Sequence, residues 1–174
     1  EAPRVGVGPD AAGVRLFQGL CKGERFELVV RQATELGVQE LWPVETQRSV
    51  VRGASADKLE RWRTIARSAA AQCRRADIPE VHPPLRLEQV LERVPTTCTL
   101  RLVPWEGGGK PLPALLRPDE NSDGTALLIG PEGGLESREV EQAQAAGFAP
   151  CSLGPRVLRT ETVAPAVLAM LSVL

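Results

Sequence analysis

Apolar positions along the chain alternate between short runs of strand length and longer stretches with helical spacing. Val14–Leu20 is such a short run and predicts a first strand. Between Lys22 and Gly37, residues Phe26, Val29, Val30, Ala33 and Leu36 recur on one helical face, and Gly37 stands where a helix ends. Val38–Val44 reads as a second strand. Strand, helix, strand is the unit of a parallel sheet. The polar, basic stretch Thr46–Ala54 predicts a loop, and a long helix is expected over Ser55–Ala76. Its buried stripe is Leu59, Trp62, Ala66, Ala69 and Cys73. Ile78–Leu85, with three prolines, predicts an extended connector, and Leu87–Val94 a short helix.

The remaining pattern is denser in glycine. Thr97–Val103 is strand-like and runs into the turn Pro104–Gly109; Leu112–Leu116 predicts a helical turn and Pro118–Gly124 a polar loop. Thr125–Ile129 and Ala149–Leu153 read as strands on either side of a helix over Ser137–Ala146. Glu136 and Glu139 lie near the positive end of that helix and Gly147 closes it. The final stretch, Val163–Leu174, is apolar apart from Ser172, with Pro165 assigned to its first turn. A helix apolar on all sides has to be buried on all sides, and a partner subunit is the economical cover.

Two strand-ending turns carry the candidate chemistry. One is Gly130-Pro131-Glu132-Gly133-Gly134; the other runs Leu153-Gly154-Pro155-Arg156-Val157-Leu158-Arg159-Thr160-Glu161-Thr162. Both read as walls of a small-molecule site at the C-terminal ends of neighbouring strands. The first is neither a P-loop nor G-x-G-x-x-G, which argues against a nucleoside triphosphate or a Rossmann-bound dinucleotide. Glu132 would repel phosphate and suit a cationic ligand; alternatively the turn is only a tight strand-to-helix connection. In the second, Arg159 and Glu161 are close enough to pair, and Thr160 or Thr162 is a candidate helix cap.

Composition narrows the field little. The chain of 174 residues has a formal net charge of −1 and contains no apolar stretch approaching the roughly 20 residues of a membrane span. Between Arg48 and Arg75, however, eight Lys or Arg face two acids. Arg63, Arg67 and Arg74 fall within about 40° on a helical wheel. That row either tracks phosphates or is a solvated face. Four separated cysteines and one histidine, His82, form no metal-binding cluster, and buried thiols fit a reducing cytoplasm.

Taken together, the two turns resemble those of the RsmE-type small-subunit (16S) ribosomal RNA uridine-N3 methyltransferases of the SPOUT superfamily. Upstream, Lys22-Gly23-Glu24-Arg25 leading to Ala33-Thr34-Glu35-Leu36-Gly37-Val38 is similar as well. So are Thr46-x-Arg48-Ser49, Lys58 with Trp62, and Gln72-Cys73-x-Arg75 followed by Pro79-Glu80-Val81. Within this last segment Arg74 stands where the family commonly has Gly.

The resemblance implies an α/β domain over 14–174, a mostly parallel sheet flanked by helices with a deep C-terminal trefoil knot. It implies S-adenosylmethionine as cofactor, held by Glu106, Gly130, Pro131, Glu132, Gly133, Gly134, Leu153, Gly154, Val157, Leu158, Arg159 and Thr162. Arg159 and Glu161 become the catalytic candidates. Lys22, Arg48, Arg52, Lys58, Arg63, Arg67, Arg74 and Arg75 become the RNA-contacting surface. Ribosomal RNA or the small subunit is the implied partner, with homodimerisation through the knotted region and no membrane or metal. Residues 1–13 are expected to be a linker or the remnant of an N-terminal RNA-binding domain. A SPOUT enzyme for another RNA, and a non-enzymatic knotted binding module, stay open as alternatives.

Overall fold

The computed structural model describes residues 13–116 and 124–173, so the expected N-terminal linker and most of the polar loop before Thr125 lie outside the described residues. The strands are β1 (Val14–Gly19), β2 (Glu40–Glu45), β3 (Glu80–Val81), β4 (Leu85–Arg86), β5 (Leu100–Pro104), β6 (Lys110–Pro111), β7 (Thr125–Ile129) and β8 (Ala149–Ser152). The helices are α1 (Arg25–Glu35), α2 (Ala56–Gln72), α3 (Leu87–Leu91), α4 (Ser137–Ala145) and α5 (Thr160–Leu171), with a 3-10 turn at Leu112–Ala114. All described pairings are parallel, in the order β3-β2-β1-β7-β5-β8-β6, with β4 also paired to β2.

Helices cover both faces of this sheet, which is why its central strands are apolar on both sides. Leu127 and Ile129 of β7 point into one core with Leu16, Phe26, Trp62, Val167 and Leu168, the layer of α1, α2 and α5. Ala126 and Leu128 point into the other, with Phe17, Val90, Val140 and Ala143, the layer of α3 and α4. Phe26, Val29, Val30 and Ala33 of the α1 stripe are buried as the spacing predicts, whereas Leu36 is half-buried at the C-cap; Phe26 meets Trp62 with ring centroids 4.3 Å apart.

Several boundaries move for identifiable reasons. Lys22 lies before α1, because its N–H donates to Glu132 Oε1 at 2.8 Å rather than joining the helix. The long helix starts on schedule, with Ser55 capping Lys58 N–H, but it ends at Gln72 rather than Ala76. Arg74 takes φ +63°, and the N–H of Arg75 reaches back to Ala70 O, a left-handed helix stop that glycine fills most readily. The proline connector contains two short strands, β3 and β4, and the turn Pro104–Gly109 leads into β6; the apolar pattern announced none of the three.

The largest correction concerns the last helix. It starts at Thr160, not Val163, so Pro165 lies in its interior and the Glu161 carbonyl loses its helical donor. One face, Thr160, Ala164, Val167 and Leu168, is buried, while Val173 beyond its end is 82% exposed. No helix among the described residues is long and apolar enough to cross a membrane.

Candidate cofactor site at the switch point of the sheet

β1 and β7 lie side by side, Gln18 opposite Ile129, yet the chain leaves them toward opposite faces. After β1 it passes through a tight turn into α1; after β7 it turns at Gly130–Gly134 into α4 on the other face. Divergence of this kind opens a crevice at the carboxyl ends of parallel strands. The two backbones touch there: a Cβ on Gly19 would collide with the Pro131 backbone nitrogen.

The second turn is fastened to this crevice by one hydroxyl. Thr160 Oγ1 donates to Gly130 O at 2.7 Å and accepts from Gln18 Nε2 at 2.9 Å. Thr160 is therefore the first residue of α5 and a tether rather than a cap; the cap position falls on Arg159, with no side-chain cap bond. Thr162 is exposed, and its N–H donates to Arg159 O.

A cavity of about 280 Å³ fills the crevice, walled by Glu106, Gly130, Pro131, Glu132, Gly134, Val157, Leu158, Arg159 and Glu161, all sequence candidates. Arg25, Pro104, Ile129, Leu135, Thr160 and Val163 complete it. An adjoining cavity of about 150 Å³ shares Pro104, Glu106, Val157, Leu158 and Val163 and adds Leu153 and Gly154. Gly133 borders neither; its carbonyl accepts from Arg48 Nη1 at 2.9 Å. Gly134, at φ +71°, is required: a Cβ there would lie 2.5 Å from Glu106 Oε1.

The charges on the wall pair differently from the sequence expectation. Glu161 does not pair with Arg159; its carboxylate is 3.9 Å from Arg25 Nε. Arg25 Nη1 also donates to Glu132 Oε1 at 3.1 Å, so one guanidinium bridges a carboxylate from each turn. Burial works against the Glu132 carboxylate, but bonds from the N–H groups of Lys22 and Glu132 itself, and from Arg25, hold its pKa below the usual range. Arg159 is exposed and has no ion pair among the described residues.

Sequence reasoning missed Gln18, Arg25 and Thr160 as site residues. Gln18 was detectable as the polar residue within an apolar strand; its side chain is fully buried. Cys21 lies beneath the same network, and burial pushes its thiol up to about 12, so it is no nucleophile at neutral pH. His82 is likewise occupied, stacked on Trp42 at 3.5 Å between rings.

The proposed RNA-contacting arginines divide. Arg75 belongs to the fold: its side chain is 4% exposed and donates to Thr34 O and Val38 O. Arg63 donates to Val81 O, and Arg67 pairs with Glu60 at 2.6 Å. Lys58 lies over the Trp62 ring at 5.5 Å. Arg74 is beyond the end of α2, which breaks the row expected with Arg63 and Arg67. Lys22, Arg48 and Arg52 are exposed, and Arg48 lies beside the first turn.

The family described as RNA methyltransferase domain matches residues 9–172. The chain belongs to this family. It is 38% identical over 162 residues to the ribosomal RNA small subunit methyltransferase E of Synechocystis, covering 92% of this chain and 53% of that protein. A methyltransferase from Legionella pneumophila, solved with the cofactor SAM bound, superposes with TM-score 0.84 at 36% identity, covering 92% of this chain and 66% of that one. A ribosomal RNA small subunit methyltransferase E from Neisseria gonorrhoeae, bound to S-adenosyl methionine, gives 0.83 at 32%, covering 92% and 65%. The chain thus spans between about half and two thirds of the length of these family members.

Proposed function

We propose that this chain is the cofactor-binding and catalytic domain of an S-adenosylmethionine-dependent methyltransferase that modifies N3 of a uridine in small-subunit ribosomal RNA. The observation that carries the reading is the tethering of the two turns, through Thr160 and Gly130, around one crevice at the sheet's switch point. The cradle suits a cationic ligand: Glu106, Glu132 and Glu161 border it, and Gly134 leaves the Glu106 carboxylate room at the wall. Glu106, Gly130, Pro131, Glu132, Gly134, Leu153, Gly154, Val157 and Leu158 would hold the cofactor, with Gly133 shaping the turn from outside the cavity. When bound, it supplies an electrophilic methyl group on a positively charged sulfur.

The chain's own residues do the rest by placement and charge. The guanidinium of Arg159, exposed and without an ion pair among the described residues, stabilises the negative charge that spreads over O2 and O4 when uracil loses its N3 proton. Glu161, on the cavity wall and 15% exposed, accepts that proton directly or through water. Arg25 holds the Glu161 and Glu132 carboxylates in register. The uridine-N3 target rests on the paired Gly130–Gly134 and Leu153–Thr162 motifs and their resemblance to one enzyme type. An rRNA substrate makes the protein cytoplasmic.

The same reading includes a homodimer and a C-terminal trefoil knot. α5 is apolar nearly throughout, yet Ala169 on it and Val173 just beyond its end are exposed, which suits cover by a second copy. β8 lies outside β5, and the chain returns from it past the first turn to pack on α1, a path compatible with threading.

Nucleoside mass spectrometry of small-subunit rRNA from a deletion strain tests the activity. Loss of 3-methyluridine, restored by the gene and not by its Arg159→Ala variant, is the expected result. Retention of 3-methyluridine rejects the target, and calorimetry without S-adenosylmethionine binding rejects the site.

A further inference from the structure

A second polar cleft, of about 370 Å³, opens between the loop after β2, the start of α3 and the start of α4. All three segments follow the carboxyl ends of parallel strands, so the cleft is on the same rim as the cofactor crevice. Three arginines line it: Arg52, Arg86 and Arg138. Its acids outnumber them, but most are already committed. Glu45 accepts from Gly53 N–H at 2.6 Å. Buried Glu139 accepts from the N–H groups of Gln47 and Glu136, each at 2.9 Å. Glu136 lies 3.7 Å from Arg48. Glu88 is the one lining acid without a partner among the described residues. The three guanidinium groups, by contrast, make no hydrogen bond or ion pair among the described residues, and all three residues are exposed.

We propose that this cleft binds the phosphodiester backbone of the RNA strand that enters the methyl-transfer site, with Arg52, Arg86 and Arg138 as the anion-contacting groups. The identity of the anion rests on the RNA methyltransferase reading above; the presence of three guanidinium groups with no partner among the described residues does not. Arg48 marks the route between the two sites. It bonds Gly133 O in the first turn while its other edge faces Glu136 on the cleft wall. The assignment moves the RNA track away from the arginine row of α2, where Arg63 and Arg67 are already bonded within the chain. Neither Arg86 nor Arg138 stands out in the sequence, because they are 52 positions apart and each is a lone basic residue within two positions of an acid.

Fluorescence anisotropy with a labelled single-stranded RNA of about 12 nucleotides tests this across KCl concentrations. Each phosphate contact on a single strand contributes a slope of about −0.7 in log affinity against log salt. The Arg52→Gln/Arg86→Gln/Arg138→Gln variant is expected to bind at least about tenfold more weakly at low salt, with the slope reduced by about 2. Glu88→Gln is expected to bind more tightly, and Arg63→Gln/Arg67→Gln to lose less than the cleft variant. S-adenosylmethionine affinity, read by calorimetry, stays within about twofold in all of them; if the unsubstituted chain fails to bind it, the functional reading fails separately from the cleft. Unchanged RNA affinity and slope in the folded triple variant overturn the proposal. So do absence of RNA binding by the unsubstituted chain, a greater loss in the α2 variant, and inorganic phosphate binding as tightly as RNA. Should the triple variant not fold, Arg138→Gln alone carries the test, with a loss of about threefold expected and no loss overturning it.

Discussion

Gln18 and Thr160 are 142 positions apart and share a hydrogen bond of 2.9 Å inside the protein. The same threonine hydroxyl donates to Gly130 O at 2.7 Å. Through this one side chain the first strand, the first turn and the start of the last helix are held at a common point. Both partners are buried, so the hydroxyl cannot be exchanged for water without cost.

Thr160→Val keeps the shape and removes the hydroxyl. It leaves the Gln18 amide and the Gly130 carbonyl short of a partner and should cost about 1–3 kcal/mol in chemical denaturation. Calorimetry should show weaker S-adenosylmethionine binding as the two turns separate. Thr160→Ser retains the bond and should recover most of both losses.

Arg74→Gly should stabilise the protein by about 1 kcal/mol, because Arg74 holds a left-handed backbone that costs a side-chain-bearing residue about that much. Thermal melts would show a higher midpoint. An unchanged or lower one would mean that the exposed guanidinium contributes at least as much as its backbone costs.

Arg159→Ala should lower kcat by about 10²–10³, on the order of 2.7–4 kcal/mol, the loss typical of removing one preorganised group facing developing negative charge. Single-turnover methylation of small-subunit rRNA, with the cofactor affinity measured alongside, separates this from a binding defect. Arg25→Ala should instead raise the KM for the cofactor, since Arg25 orders Glu132 and Glu161.

Burial beside Trp42 lowers the His82 pKa from its ordinary value of 6.5; Glu80 and Glu40 oppose this only in part. The unfolded chain therefore takes up this proton at a higher pH than the folded one. The stability His82 contributes is fully present above about pH 6.5 and is lost as the pH falls through the folded pKa. Denaturation curves between pH 7.5 and 5 should show that decline, and His82→Gln should flatten it.

Local patterning was enough to determine the parallel α/β class, the strand Thr125–Ile129 to the residue, the buried stripe of α1 and the two glycine-bearing turns. These follow from spacing and from residues whose backbone preferences hold wherever they stand. The short strands β3, β4 and β6 could not be read that way, because two residues carry no period and gain their pairing only from a neighbour. Which charges meet was likewise a tertiary matter. Arg159 and Glu161 are two apart in sequence, yet Glu161 faces Arg25 across the crevice while Arg159 is left unpaired among the described residues. The arginine row on α2 ended at a backbone conformation that no wheel contains, and Arg75 was turned inward onto two carbonyls. Periodicity records which face of an element is apolar. It holds no information about which distant side chain arrives there, and the crevice between β1 and β7 is made of such arrivals.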